Sequence, residues 1–296
     1  MSAGRRAISF SVVLCIELRA SQTAEPGRDP MNRGTYAFEN ARAVQPERLR
    51  LLAALLDEGT FRLLERLGVR PGWRCLEVGA GGGSVAAWLC DRVAPGGSVL
   101  ATDLDTTVVR ELERPNLEVR VHDVLTGGLP EREFDLVHAR LLLAWLADPE
   151  RGLRSMLAAL RPGGCLLAEE MDFHSIAPDA GLDPATRALF ARVIDAHHAV
   201  LAEHHAFDPF CGRGLDRALC SAGLARVGSE GRLSIWRGGQ PGGTVWRLTL
   251  IQLRDELLAH GRVTAAEVDT TIELCDDPRL AFMSQATIGA WGYRPH

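Results

Sequence analysis

The chain has 296 residues, and its 33 basic residues against 38 acidic residues give a formal net charge of −5. All of the basic residues are arginine, because the sequence contains no lysine, so lysine Schiff bases, a lysine general base and the lysine-bearing phosphate-binding loop are excluded. The mild acidity argues against nucleic acid as a partner, and no apolar run reaches the ~18 residues that a membrane-spanning helix requires.

The first thirty residues contain a short apolar run after Arg5 and Arg6. Glu17 ends this run early and no small-x-small cleavage pattern follows, so a secretion signal is the less favoured interpretation. We expect residues 1–30 to be an unstructured extension, with Met31 as a candidate natural start and a folded domain over 31–296.

The next part of the chain alternates between helical and strand-like segments, which is typical of an α/β sheet with crossover helices. A leucine stripe predicts a helix over 49–67 that is interrupted near Gly59. Two amphipathic stretches predict helices over 84–93 and 149–160. Short apolar runs predict strands over 74–78, 98–104, 117–123, 134–139 and 165–171.

The alternation stops beyond residue 171, where three long helical patterns and two further strand candidates follow. A minimal sheet protein does not need these helices. We therefore expect one α/β domain with helical insertions at about 173–215 and 238–280, which cover a pocket. The predicted elements here are helices 183–207, 244–260 and 264–275 and strands 225–236 and 280–291.

Seven cysteines are present, and no two of them form a Cys-x-x-Cys pair. Most lie in apolar stretches, which is typical of buried thiols and not of a disulfide framework or a zinc site. We therefore expect a cytoplasmic protein that binds no metal.

A glycine-rich loop over 77–83 reads E-V-G-A-G-G-G and separates the first predicted strand from the helix that follows. Glycines allow a sharp backbone turn and the close approach of a ligand. A dinucleotide fingerprint requires glycine or alanine at the position that Ser84 occupies. Glu77 is unfavourable beside an anionic pyrophosphate, and it suits a ligand that carries a cationic amino group.

Two carboxylates stand at the ends of successive predicted strands. Asp103 lies twenty residues after the glycine loop, where a carboxylate can accept hydrogen bonds from both hydroxyls of a ribose. Asp123 ends the third strand and is placed to accept a hydrogen bond from an adenine amino group.

This set of residues resembles that of the class I S-adenosylmethionine-dependent methyltransferases, of the type that acts on small molecules and natural products. The resemblance covers about residues 36–294 and includes an Arg-Pro-Gly-Gly turn over 161–164. It implies a Rossmann-like seven-stranded α/β sheet with helical lid insertions and S-adenosyl-L-methionine as the cofactor. The residues that match the family's cofactor-binding positions are Glu77, Gly79, Ala80, Gly81, Asp103, Leu104, Asp123, Val124 and Ala139.

The absence of several motifs restricts the kind of molecule that can accept the methyl group. The fourth strand is not followed by the Asn-Pro-Pro-Tyr that aligns an exocyclic amine, there is no Pro-Cys dipeptide for cytosine carbon methylation, and a lysine tetrad for ribose hydroxyls is impossible. Together with the acidic charge, these absences argue against DNA or RNA. The resemblance implies O- or N-methylation of a small molecule in secondary metabolism, by a possible homodimer with no membrane or nucleic-acid partner.

His174 is the candidate general base, because it follows the fifth strand at the edge where open α/β sheets bind ligands. A solvated loop histidine is the alternative that the sequence leaves open. His197, His198, His204 and His205 cluster on one predicted helix, and the two pairs are separated by about 10 Å along it, which is too far for one metal ion. We interpret them as pocket-lining or packing residues, and a role as a general base stays open for them.

Three other functions stay open at this point. A methyltransferase fold can bind the cofactor and catalyse another reaction, such as a cyclisation. An NAD(P)-dependent oxidoreductase is disfavoured by Ser84 and Glu77, and a non-catalytic binding module is disfavoured by the long insertions.

Overall fold

A seven-stranded sheet runs through the chain, which the computed structural model describes over residues 45–204 and 206–296. All five strands predicted before residue 172 are present, each within a few residues of its predicted bounds. The strands of the whole chain, in order, are β1 Arg74–Val78, β2 Ser98–Asp103, β3 Leu117–Val121, β4 Phe134–Arg140, β5 Leu160–Asp172, β6 Ala177–Pro178, β7 Ala225–Arg232, β8 Ile235–Arg237, β9 Ala281–Met283 and β10 Ala286–Tyr293.

The sheet has the strand order β3-β2-β1-β4-β5-β10-β7. Strands β1 to β5 pair in parallel, whereas β10 runs antiparallel to both β5 and β7. The central strands are buried along almost their whole length, as parallel strands covered on both faces should be. This confirms the predicted α/β class with a seven-stranded sheet.

Helices cover both faces of the sheet. Leu63 and Leu64 of α1 pack with α2 on one face, and Met156 of α3 and Leu215 of α5 pack on the other. The helices of the described residues are α1 Gln45–Arg66, α2 Ser84–Val93, α3 Pro149–Ala159, α4 Pro184–His204, α5 Cys211–Ser221, α6 Pro241–His260 and α7 Ala265–Leu274. None of them is long and apolar enough to cross a membrane.

The inserted segments build a second apolar core beside the sheet. Helices α4, α6 and α7 pack together there, with a small sheet of order β6-β9-β8. The predicted first insertion, 173–215, includes the beginning of α5, but α5 packs against β5, β10 and β7. The two segments that form this core, which we call the lid layer, are 176–204 together with 206–207, and 235–283.

Three other expectations differ from the structure or lie beyond it. Helix α1 continues through Gly59, and each of the strand candidates 225–236 and 280–291 is divided into one strand of the large sheet and one of the small sheet. The prediction that residues 1–30 form an unstructured extension concerns residues outside the described ranges.

Candidate functional site

The glycine loop connects β1 to α2 at the carboxyl edge of the sheet. The backbone N–H groups of Gly79 and Ala80 both donate to the carbonyl of Thr102, at 2.8 and 3.0 Å. Gly79 and Gly81 have φ values of 72° and 50°, which side chains rarely tolerate. A Cβ at Gly79 would also lie 3.2 Å from the side chain of Leu142. The backbone conformation therefore favours glycine at both positions, and at Gly79 the side chain of Leu142 would also have to move.

Asp103, at the end of β2, is tied directly to this loop. Its Oδ2 accepts a hydrogen bond from the Gly81 N–H at 2.8 Å, and its Oδ1 accepts one from the Asp105 N–H at 3.1 Å. Burial raises the pKa of the Asp103 carboxyl, although the backbone N–H groups of Gly81, Asp105 and Leu104 oppose this. The next residue, Leu104, is 65% exposed, which is unusual for leucine and leaves an apolar surface beside the carboxylate.

The remaining predicted positions lie along the same edge in different environments. Asp123 follows β3 by two residues, and its Oδ1 accepts a hydrogen bond from the Leu125 N–H at 2.8 Å. The side chains of Val124 and Ala139 are buried in the sheet core. These two residues therefore present only backbone atoms to a ligand.

Glu77 is placed differently from the expectation that it faces a cationic amino group. Its Oε2 lies 2.7 Å from Nδ1 of His138, and both side chains are buried. The other ring nitrogen of His138, Nε2, lies 3.3 Å from Glu169. Two carboxylates on one imidazole require both ring nitrogens to donate, so the ring is the imidazolium.

The pKa values of this buried group follow from that arrangement. Burial lowers the pKa of His138, but the charge of Glu77 and the hydrogen bonds to Glu169 and Glu77 outweigh it and raise the pKa to about 9. Burial raises the pKa of Glu169, whereas His138, Arg140 and Arg232 lower it to about 2. The guanidinium of Arg232 forms an ion pair with Glu169 and brings β7 into the network.

A second polar chain joins α1 to the beginning of α2. The Asp57 carboxylate accepts hydrogen bonds from Ser84 Oγ at 3.0 Å and from Arg140 at 2.9 Å. Arg140 also donates to Thr60 at 2.9 Å. No local pattern in the sequence identifies these contacts, because the partners are separated by up to 83 residues.

The segment after β4 carries backbone strain next to the glycine loop. Leu141 has a φ of 55°, which costs of order 1–3 kcal/mol for a residue that is not glycine. The buried carboxyl of Glu170 accepts hydrogen bonds from the N–H groups of Leu142 and Leu143 and so holds this turn. Burial raises the pKa of Glu170 to about 8, against the effect of those N–H groups. Strain of this kind is common at ligand sites.

A cavity lies between this strained turn and the lid layer. The cavity walls come from α1, the ends of β4 and β5, and the lid layer, and they are mostly apolar. The lining residues are Arg48, Leu52, Leu141, Trp145, Met171, Phe173, His197, Leu201, Trp236, Val245, Trp246, Thr249 and Gln285.

Two adjacent histidines of α4 are buried at this place. His197 lines the cavity and packs edge-on against Trp246, with ring centroids 5.0 Å apart. His198 does not line it, and it packs edge-on against Phe173 at 6.0 Å. The interpretation of the cluster as pocket-lining or packing therefore fits these two, whereas the side chain of His204 and all of His205 lie outside the described residues.

His174 is not where the sequence suggested. The topology argument places it above the reacting end of the site, but the structure shows it exposed and outside the cavity lining. Its ring stacks on Phe210 at 4.5 Å, with an angle of 8° between the planes. The reason is that β5 is followed by a short 3-10 helix, Phe173–Ser175, which directs Phe173 into the cavity and His174 away from it.

Sequence reasoning did not identify the polar groups of the cavity apart from the histidine cluster. Arg48, Thr249 and Gln285 come from three distant segments, and only the packing of the lid layer brings them together. Within the described ranges, no cluster of three or more His, Cys, Asp or Glu side chains has a metal-binding arrangement.

Comparisons with known sequences find a methyltransferase family model and methyltransferase relatives. Residues 76–168 match the family model described as a methyltransferase domain. An uncharacterized 37.1 kDa protein in transposon TN4556 of Streptomyces fradiae is 31% identical over 138 residues, which cover 45% of this chain and 40% of that protein. The ubiquinone/menaquinone biosynthesis C-methyltransferase UbiE of Pseudomonas putida is 30% identical over 176 residues, covering 55% of this chain and 62% of that protein. The chain thus matches less than two thirds of the length of these relatives.

Two solved structures share the fold. Phosphoethanolamine N-methyltransferase 2 of Haemonchus contortus, in complex with S-adenosyl-L-methionine, has a TM-score of 0.53 at 13% identity, covering 88% of this chain and 59% of that chain. The YcgJ protein of Bacillus subtilis has a TM-score of 0.52 at 14% identity, covering 79% of this chain and 97% of that chain. At these identities the likeness shows a common fold and carries no information on the acceptor.

Proposed function

We propose that this chain is a class I S-adenosylmethionine-dependent methyltransferase and that it methylates a small molecule bound in the cavity beneath the lid layer. The observation that carries the proposal is the position of this cavity. It lies at the carboxyl ends of β4 and β5, where Leu141 forms part of its wall and the neighbouring Leu142 touches the glycine loop.

The residues at the sheet edge fit the cofactor of the family. Asp103 offers a carboxylate to ribose hydroxyls, and the exposed side chain of Leu104 offers an apolar surface to the adenine. The backbone of Gly79, Ala80 and Gly81 approaches the methionine part without side chains in the way. Asp123 and the backbone of Val124 and Ala139 complete the proposed site. Glu77 would act indirectly, by holding the imidazolium of His138 under the loop.

Methyl transfer needs little chemistry from the protein. When bound, S-adenosylmethionine supplies an activated methyl group on a sulfonium, so much of the rate comes from holding the acceptor in line. The mostly apolar walls of the cavity favour an apolar acceptor, and the strained turn at Leu141 lies between the cavity and the glycine loop. We further propose that the acceptor is a product of secondary metabolism methylated on oxygen or nitrogen.

The alternatives are separated by what the protein binds and releases. A thermal-shift panel of S-adenosylmethionine, S-adenosylhomocysteine, NAD and NADP should show stabilisation by the first two compounds alone. Candidate acceptors are then screened for the release of S-adenosylhomocysteine. An acceptor that is converted without this release would identify a non-methylating reaction such as a cyclisation, and stabilisation by NAD would contradict the proposal.

A blocked cavity tests where the acceptor binds. Leu52→Trp places a larger side chain into the cavity from α1, whereas Glu58→Trp adds the same side chain on the exposed face of that helix. We expect Leu52→Trp to raise the KM of the acceptor at least tenfold and to leave the Kd of S-adenosylhomocysteine within about twofold. Glu58→Trp should change neither. Equal KM values in both variants would place the acceptor elsewhere.

A further inference from the structure

The buried histidine in the cavity wall has no partner in the described part of the protein. His197 is 2% exposed, and neither Nδ1 nor Nε2 has a hydrogen bond there. Burying a polar group without a partner costs about 1–3 kcal/mol. His197 also lines the cavity, so a bound molecule can provide what the protein lacks.

The charges of the cavity wall select the kind of molecule. Among the lining residues that the structure describes, Arg48 carries a charge and none is a carboxylate. None of these described lining residues offers a carboxylate to an ammonium group, so the wall favours a neutral molecule. Buried Oε1 of Gln285 has no donor within the described residues, so it too favours a ligand with N–H or O–H groups.

The shape of the wall indicates a flat ligand. Trp145, Trp236, Trp246 and Phe173 all line the cavity, and aromatic side chains pack best against other planar rings. Since most of the lining residues are apolar, most of the surface of the ligand should be apolar as well.

We infer that the acceptor is the hydroxyl group of a neutral aromatic molecule and that the imidazole of His197 accepts its proton as the methyl group arrives. This inference rests on the proposed function and specifies its acceptor. The acceptor oxygen forms the new bond to carbon while the carbon–sulfur bond breaks and its electron pair returns to sulfur. The O–H electron pair stays on oxygen, and the proton passes to His197.

The surroundings keep His197 ready for this role. Burial lowers the pKa of His197 well below its usual range, and the nearby His198 and Arg48 act in the same direction. The ring is therefore neutral before the reaction and has a lone pair to offer.

Two fluorescent probes test the class of acceptor. 2-Naphthol has the hydroxyl, and 2-methoxynaphthalene is the same ring with the hydroxyl already methylated. We expect 2-naphthol to bind about tenfold more tightly, the value of one hydrogen bond in a buried site. The hydroxyl of 2-naphthol becomes strongly acidic on excitation, so the bound probe should show naphtholate emission if a base accepts its proton. Equal affinities, or no binding of 2-naphthol up to millimolar concentration, would overturn the inference.

Two matched variants test whether the preference for 2-naphthol and the naphtholate emission come from the ring of His197. His197→Phe should abolish the preference for 2-naphthol and the naphtholate emission, while its melting temperature is kept or raised because the unpaired nitrogens are removed. His198→Phe replaces the adjacent buried imidazole, which does not line the cavity, and should keep both signals. Retention of both signals in His197→Phe excludes the proton transfer to that ring.

The Kd of S-adenosylhomocysteine is measured for every variant. If S-adenosylhomocysteine does not bind to the wild type, the proposed function fails. If it binds normally and the probes do not behave as described, only the assignment of the acceptor and of His197 fails.

Discussion

Nδ1 of His138 lies 2.7 Å from a carboxylate oxygen of Glu77, at a fully buried point directly beneath the glycine loop. The pair joins the first residue of the loop motif to β4, and Glu169 joins both to β5. A protonated imidazole thus supports the proposed cofactor site from below. The free energy of unfolding should therefore depend on whether His138 carries its proton.

We predict that the free energy of unfolding falls as the pH rises from about 6.5 to 9. The pKa of His138 is about 9 in the folded state and near 6.5 when unfolded. The folded state therefore holds a proton that the unfolded state has lost, so the stabilisation is complete below pH 6.5 and disappears as the pH passes 9. Urea unfolding at several pH values measures the slope.

The interval from pH 7 to 8 is the most informative for this prediction, because the buried cysteines, whose pKa values are raised in the folded state, add their own slope only where the thiols of the unfolded chain titrate, at about pH 8.5. Glu170, with a pKa of about 8, also contributes to the slope below pH 8. His138→Gln and Glu170→Gln should each reduce the slope between pH 7 and 8, by about 1 kcal/mol per pH unit. If His138→Gln does not fold, the imidazole signals of the wild type can be titrated by NMR. A His138 pKa below 6.5 would contradict the prediction.

Asp103→Ala should weaken the binding of S-adenosylhomocysteine by about 1.5–3 kcal/mol, because hydrogen bonds to a charged acceptor are lost. Since this carboxylate also holds the N–H of Gly81, part of the effect comes from a looser loop. Asp103→Asn keeps an acceptor oxygen for that N–H and should lose less. Calorimetric titration gives both values, and an unchanged affinity in Asp103→Ala would remove the ribose assignment.

Gly59→Ala should destabilise the protein by about 1–3 kcal/mol, the usual cost of overpacking. A Cβ at this position would lie 2.4 Å from the guanidinium of Arg232, which forms the ion pair with Glu169. In an ordinary helix interior the same change stabilises by up to about 1 kcal/mol. Gly214→Ala in α5 is the control, because its Cβ meets only Arg217, at 3.7 Å. The two variants should shift the urea midpoint in opposite directions.

His174→Ala should change kcat by less than about threefold with an authentic acceptor. The sequence alone suggested a general base, whose removal lowers kcat by about 10²–10⁴-fold. The exposed ring, stacked on Phe210 and outside the cavity, does not support that role. Steady-state kinetics decide, and a loss of 100-fold or more would restore His174 to the mechanism in place of His197.

Local patterns were sufficient for much of the fold and for part of the site. The bounds of β1 and α2 follow directly from the apolar run 74–78 and the stripe 84–93, because each element buries its own residues in a regular period. The glycine loop and Asp103 were also predicted, since a strand, a turn and a helix place them through local geometry. The capping box of Thr264 and Glu267 is another local feature that the structure confirms.

Contacts between distant segments decided the rest. The sequence suggests a break at Gly59, yet the helix continues because that glycine makes room for Arg232, which is 173 residues away along the chain. Each of the strand candidates 225–236 and 280–291 forms two strands instead of one. One strand of each pairs within the large sheet, and the other pairs within the small sheet of the lid layer.

What the sequence by itself determined is therefore the resemblance to a methyltransferase family, the sheet and the glycine loop, all of which depend on residues close together in the chain. The tertiary structure decided which of the histidines faces the cavity, and that Glu77 binds an imidazolium. A ring at His174 and one at His197 look alike in a sequence, but the direction of a side chain after a strand is set by the turn and by the layer that packs over it. The direction of each ring is therefore settled only by the packing of the lid layer against the sheet.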